Sequence, residues 1–188
     1  MDENKIIQKG NTAGRDLAGR DITNYYSPQA NKPTLMSVYI ERFKKERELD
    51  TLFNSMIEKL QDYCVQVDDG DKIVGLEEKL STGHYLNYLT FAQKTKEQFS
   101  KKLAKYQFSE SAQTILAYLL AEIYSLFNNN VYPLIQNGVP QAVVLSAIQD
   151  KIILPVKEML EENVLEIFSD EINGALYFLT GNCHIRWV

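Results

Sequence analysis

Groups able to carry chemistry are scarce in this sequence. Its soft metal ligands amount to two cysteines and two histidines, Cys64, His84, Cys183 and His184. Structural zinc is usually held by close local pairs that share a loop or a helical face. Cys64 instead falls on an apolar helical stripe, and adjacent Cys183 and His184 would point to opposite sides of an extended segment, so no metal site is expected. The same geometry denies Cys183 and His184 the hydrogen-bond distance that a nucleophile and its base require. There is no Gly-Lys-Ser/Thr phosphate loop and no dinucleotide fingerprint. The cluster Asp68-Asp69-Gly70-Asp71 lacks the alternation and closing Glu of a calcium loop and reads as a helix-ending turn. Two distant cysteines do not make a secreted disulfide framework. The start, Met-Asp-Glu-Asn-Lys, has neither the basic residues nor the apolar core of a signal peptide. No apolar run approaches the roughly 20 residues of a membrane span. The expectation is a cytoplasmic, non-enzymatic protein with no cofactor, no metal and no membrane contact.

What is present is the composition of a folded domain. The 188 residues are 45 % hydrophobic and 24 % charged, enough to bury a core. A formal charge of −5 argues against a nonspecific nucleic-acid binder, because phosphate affinity comes from clustered Lys and Arg. One such cluster exists, Lys94, Lys96, Lys101, Lys102 and Lys105 on a helical segment. It is read first as a solvated face and second as a contact for nucleic acid or an acidic partner, which gives the alternative function, a nucleic-acid-sensing module built on residues 94–105.

Residues 1–33 differ from the rest. They hold a repeat, Ala13-Gly14-Arg15-Asp16-Leu17 followed by Ala18-Gly19-Arg20-Asp21-Ile22. Each glycine admits a backbone turn that other residues resist, and each unit closes on an apolar residue. The segment is too small to bury itself. It is either a flexible leader or an extended β-like ribbon stacked on the domain or on copies of itself, and the second form makes Gly14, Arg15, Asp16, Leu17, Gly19, Arg20, Asp21 and Ile22 candidate oligomerisation residues.

After the linker Asn31-Lys32-Pro33 the pattern turns helical, with Thr34 as N-cap. Leu35, Val38, Tyr39 and Phe43 open an apolar stripe. Leu49, Leu52, Phe53, Met56, Ile57, Leu60, Tyr63 and Cys64 continue it at spacings of three and four. A short helix carrying Ile73, Leu76 and Leu80 ends near Gly83, and a longer one covers 85–106. Ser109 caps a helix that is apolar nearly all round from Ile115 to Phe127, the mark of a buried centre or a partner face. Asn128-Asn129-Asn130 and Pro133 weaken or bend its end. Gly138 and Pro140 stop and restart the chain, and Pro155 kinks or restarts the helix after Ile152. The fold class expected is mainly α: an irregular multi-helix bundle over 34–188 with a small β contribution at each end.

The C-terminal β contribution is expected as a hairpin, Leu176 to Leu179 and Cys183 to Trp187 around a Thr-Gly-Asn turn. In the second arm Cys183, Ile185 and Trp187 share one face and His184 and Arg186 the other. Trp187, Cys183, Tyr177 and Phe178 are assigned structural roles. His184 and Arg186 are candidates for a docking contact, or for hydrogen bonds within the chain.

The closing run Tyr177-Phe178-Leu179-Thr180-Gly181-Asn182-Cys183-His184-Ile185-Arg186-Trp187 resembles the signature of the C-terminal domains of bacterial ABC-three-component conflict systems. The blocks Ile73-Val74-Gly75-Leu76-Glu77-Glu78-Lys79-Leu80, Ser111-Ala112-Gln113-Thr114-Ile115 with Leu119-Leu120, and Ile152-Ile153-Leu154-Pro155 are similar to the same domain, over roughly 34–188. The resemblance implies an antiphage (Lamassu-like) system in which an SMC-like ABC ATPase works with a middle component and an effector. It implies an adaptor that couples to one of these partners. Assembly as a homo-oligomer is expected from the repeat at residues 11–22 and from the apolar helix around residues 115–127. The chain is expected to be a stand-alone version, without an effector domain ahead of the shared region.

Overall fold

The computed structural model describes residues 33–49, 53, 55–67 and 75–188, all within the unit Pro33–Val188. The glycine repeat, the Asp68–Asp71 cluster and Ile73 lie outside the described residues. Helix α1 (Leu35–Leu49) starts where Thr34 Oγ1 accepts the Ser37 N–H at 3.0 Å, satisfying one of the donors a helix start leaves open. Its inward residues Met36, Ile40 and Phe43 are buried and pack on α5 (Glu110–Leu126). The apolar stripe does not continue as one helix. Leu49 is 76 % exposed, and the next helix, α2, runs only Glu58–Cys64.

Buried Gln113 of α5 holds the chain just ahead of α2. Its Oε1 accepts the Ile57 N–H at 2.8 Å, and its Nε2 donates to Ser55 O at 2.9 Å and Gln107 O at 2.7 Å. Side-chain bonds of this kind compete with the helical ladder, and at Ile57, the residue before α2, they fill a donor that the helix start leaves open. Glu46 makes a second tie, its Oε2 accepting the Ser111 N–H at 2.8 Å in the first turn of α5. A carboxylate is favoured there by the open N–H groups and the helix dipole.

Helix α3 (Leu76–Thr82) leads through a 3-10 turn, Leu86–Tyr88, into α4 (Leu89–Lys105). Helix α5 is capped by Ser109, whose Oγ accepts the Ala112 N–H at 3.2 Å. It buries Ile115, Leu116, Leu119, Leu120 and Ile123; α1, α2 and the last helix, α9, all pack on it.

The two expected proline breaks are π turns, at Phe127–Val131 and Gln149–Ile153. Tyr132 N–H bonds Phe127 O and Leu154 N–H bonds Gln149 O, five residues back. Pro133 and Pro155 follow directly, in α6 (Tyr132–Gln136) and α8 (Leu154–Met159). A proline offers no N–H and crowds the carbonyl four residues earlier. Widening the preceding turn lets the helix pass through without breaking. The result is a helical hairpin, α5–α6 returning through Gly138 (φ +64°) as α7 (Gln141–Ile148) and α8, with the two π turns in contact.

The expected C-terminal hairpin is absent. Residues Ser169–Gly181 form a single helix, α9. Glu171 Oε2 accepts the Phe168 N–H at 2.9 Å, and Asp170 and Glu171 lie in the first turn, where acidic groups are favoured. Ile172, Ala175, Leu176 and Leu179 then make a buried stripe at helical spacing. Helices α4 and α9 form the most extensive pair in the domain. Gly174 permits their close approach, since a Cβ there would stand 2.1 Å from the Thr95 carbonyl oxygen. No strand occurs among the described residues.

Candidate functional site

The closing motif comprises the end of α9 and an extended tail. The helix stops in a Schellman arrangement: His184 N–H bonds Leu179 O at 2.9 Å and Cys183 N–H bonds Thr180 O at 3.2 Å. The left-handed position this requires is held by Cys183 (φ +64°) and not by Gly181, an uncommon conformation for a residue with a Cβ. From there side chains alternate. Cys183, Ile185 and Trp187 are buried, His184 is half-buried and Arg186 is exposed.

Trp187 is the anchor of the tail. It is 2 % exposed and its indole N–H donates to Thr180 Oγ1 at 3.1 Å. Tyr85 meets it edge-on at 4.8 Å, Phe127 lies tilted against it at 5.5 Å, and Tyr177 stacks nearly parallel at 6.2 Å. Phe127 begins the first π turn, so the motif's tryptophan is packed against that irregularity. Burial, with Tyr88 nearby, pushes the Tyr177 phenol up to about 12. Gly83 lets the tail lie close, because a Cβ there would stand 2.7 Å from the Trp187 carbonyl oxygen. Buried Lys79 donates to Ile185 O at 3.2 Å.

His184 faces α2. Its Nε2 lies 3.2 Å from Tyr63 O, which also accepts Asn182 Nδ2 at 3.0 Å. A carbonyl can only accept, so Nε2 carries the proton. Burial holds the imidazole below its ordinary pKa, against the Tyr63 and Val65 backbone hydrogen bonds. Val67 N–H bonds Asn182 O at 3.1 Å and Gln66 Nε2 approaches Cys183 Sγ at 3.5 Å. The tail and α2 are thus stitched through backbone carbonyls, and His184 is one of the stitches. Arg186 is exposed and also interacts within the described residues.

The lysine-rich face of α4 is largely spoken for. Lys102 Nζ donates to Glu166 O at 2.7 Å and Leu165 O at 3.2 Å. Lys101 pairs with Glu97 at 2.7 Å and Lys105 with Glu166 at 3.8 Å. Lys96 Nζ reaches Gly181 of α9. Lys102 and Lys105 tie α4 to the turn at Leu165 and Glu166, Lys96 approaches α9, and Lys101 pairs within α4. The soft ligands do not gather either. Among the described residues, no three His, Cys, Asp or Glu are grouped as a metal ion would require, and no helix is long and apolar enough to cross a membrane.

A cleft of about 380 Å³ lies between α1 and α5, lined by Arg42, Lys45, Glu46, Phe53 and Ser111 among others. The Glu46 carboxylate already takes the α5 N–H groups there. Burial raises its pKa, but hydrogen bonds from Ser111, Ser109 and Glu110 outweigh this and hold it below the usual carboxylate value. Sequence reasoning missed Gln113, Gly174 and Lys79. Gln113 and Lys79 had a visible signal, a long polar side chain at a position facing an apolar stripe; Gly174 had none, because its partner Thr95 is far away in sequence.

The described geometry therefore centres on a C-terminal motif used to lock helices together. Neither a curated protein nor a solved structure matches the chain. One protein family does, C-terminal domain 9 of the ABC-three component (ABC-3C) systems, over residues 75–187. That match takes in α3 to α9, the π turns and the whole Trp187 cluster, and the chain belongs to this family.

Proposed function

We propose that the chain is a non-enzymatic adaptor and oligomerisation component of a bacterial antiphage system of the ABC-three-component kind. It couples an SMC-like ABC ATPase to a middle component or effector. The observation that carries the reading is the family match across 75–187, in a domain whose most distinctive side chains are engaged in packing. Cys183 sits in a helix-terminating turn, His184 on a backbone carbonyl and Trp187 in an aromatic cluster. Side chains so occupied support recognition through surface shape, with no bond made or broken. Such a component works by holding partners together: tethering turns a second encounter into an intramolecular one at an effective concentration on the order of millimolar.

Affinity capture of the full chain, co-expressed with an SMC-like ABC ATPase of an ABC-three-component system, tests this. A stoichiometric complex, with loss of phage resistance when the chain is deleted, is the expected result. An ATPase that never co-purifies contradicts the coupling role. The second reading, nucleic-acid sensing through residues 94–105, predicts binding that weakens steeply with salt. The contacts of Lys102 and Lys105 with Leu165 and Glu166 weigh against it.

A further inference from the structure

Helix α1 lies ahead of the residues matched to the family, and its polar ties to the rest of the domain divide along its length. From Glu46 onward they run to α5 and are part-buried. Glu46 Oε2 accepts the Ser111 N–H, and beyond the helix Gln113 holds Ser55 and Ile57. The Phe53 N–H also bonds Phe108 O at 2.9 Å. From Thr34 to Lys44 the ties run instead to the turn between α8 and α9. Thr34 Oγ1 donates to Glu161 Oε1, and Lys44 Nζ pairs with Glu162 Oε2 at 2.8 Å. Both of these lie in solvent, where such pairs hold weakly.

The turn itself has a fixed half and a looser one. Leu165 and Ile167 are buried, Lys102 donates to the carbonyls of Leu165 and Glu166, and Asn163 brackets Ile167 with two side-chain bonds. The half that meets α1 has none of this. Glu161 and Asn163 stand at φ +51° and +47°, a region costly for residues with a Cβ. Between α1 and Val164 a cleft of about 340 Å³ remains, lined by Phe43, Lys44 and Arg47. Helix and turn thus meet through exposed polar groups across an unfilled space, and the turn's backbone is eased when they part.

We infer that α1 is a lid on α5, hinged where Glu46 meets Ser111 and clasped through Thr34 and Lys44 to Glu161 and Glu162, and that it opens while residues 75–188 stay folded. Opening bares Met36, Ile40 and the side of α5 around Tyr118, whose ring Tyr39 meets edge-on at 5.9 Å. Met36 and Ile40 are both buried, so the closed form dominates and the open one is a minor state of the kind that local unfolding populates. One tie of the clasp is ionic, so salt or a competing charge shifts the balance. The lid is a property of the chain alone and stands apart from the adaptor reading.

An undocked helix of this length is marginal in water, so amide hydrogen exchange of the full chain reads the opening. The amides from Val38 to Phe43 should exchange as one block, faster than those from Leu176 to Leu179 in α9. Glu162→Gln lies outside α1 and leaves the helix's own propensity untouched. It should speed the block roughly two- to five-fold, the worth of one exposed ion pair, with α9 unchanged. Glu97→Gln breaks the Lys101 pair within α4 and should leave α1 as it was. Raising salt should speed the block in the wild type, and less so in E162Q. A block as slow as α9 and indifferent to E162Q overturns the lid. So does a graded profile rising toward Thr34, which is end fraying, and so does equal acceleration in α9, which is global loss of stability.

Discussion

Trp187 and Thr180 are joined by a 3.1 Å hydrogen bond from the indole N–H to the threonine Oγ1, both side chains buried. Thr180 Oγ1 in turn donates to Leu176 O at 3.0 Å. The tail is thereby tied to the helix it has just left, within an aromatic cluster that includes the first π turn. Removing a large buried aromatic costs about 3–5 kcal/mol, against about 5–15 kcal/mol for a whole domain. Trp187→Ala should lower the melting temperature sharply. Trp187→Phe should lose less, keeping the ring contacts but not the hydrogen bond. Because Trp187 is the sole tryptophan, its fluorescence in the wild type also reports tail undocking; emission already at the wavelength of free indole in the native protein would contradict the burial.

Gly174 and Gly181 lie on the same helix but should respond oppositely to alanine. At Gly174 the new methyl meets the Thr95 backbone at 2.1 Å, and the α4–α9 pair must separate. Overpacking of this kind costs about 1–3 kcal/mol, and an unyielding backbone puts it at the upper end. At Gly181 the obstacle is the Lys96 Nζ at 2.4 Å, the far end of a flexible side chain, while alanine gains up to about 1 kcal/mol of helix propensity. Denaturant melts of the two variants should differ in sign. Equal losses would mean that the close approach at Gly174 is not what limits the pair.

Gln113→Leu tests the tie between α5 and the segment before α2. It leaves the Ile57 N–H and the Ser55 and Gln107 carbonyls without this partner. Each such group costs about 1–3 kcal/mol when fully buried; these are part-buried, so a total of about 2 kcal/mol is expected. Hydrogen exchange at the Ile57 amide should accelerate more than exchange in α9. Uniform acceleration everywhere would show a general loss of stability in place of a local release.

How far the sequence reveals this architecture depends on how local each signal is. Thr34 and Ser109 act as caps within one turn of where they stand, and both are legible. The alternation of Cys183, Ile185 and Trp187 is legible for the same reason. Leu176 to Leu179 misled because four apolar residues in a row fit a strand or a helix equally; the deciding evidence lay upstream, in Ser169-Asp170-Glu171 and the stripe from Ile172. Pro133 and Pro155 announce a disturbance but not its form, since a π turn needs packing against a second helix to hold it. The Gln113 tie and the Gly174 contact join residues distant along the chain, and only folding brings them together.

Acid should weaken the domain in two windows. His184 is held below its ordinary value of 6.5 by burial, so the unfolded chain binds its proton more readily. Stability from this group is complete above about pH 6.5 and is lost as pH falls through the folded-state value. Glu46 is held below its ordinary 4.5 by hydrogen bonds that outweigh the opposing effect of burial, and its contribution is lost below that. Melting temperature against pH should therefore fall first below about pH 6.5, and His184→Gln should flatten that limb while leaving the more acidic one. A limb unchanged in the variant would place its origin elsewhere.

The central claim, that this domain acts by binding protein, is tested most directly by sedimentation velocity of the labelled full chain with an SMC-like ABC ATPase, the proposed partner, at low and at high salt. The account predicts a joint species at both, because Lys102 and Lys105 of α4 are engaged with Leu165 and Glu166 within the fold. No joint species at either salt, together with DNA binding that disappears as salt is raised, would contradict it.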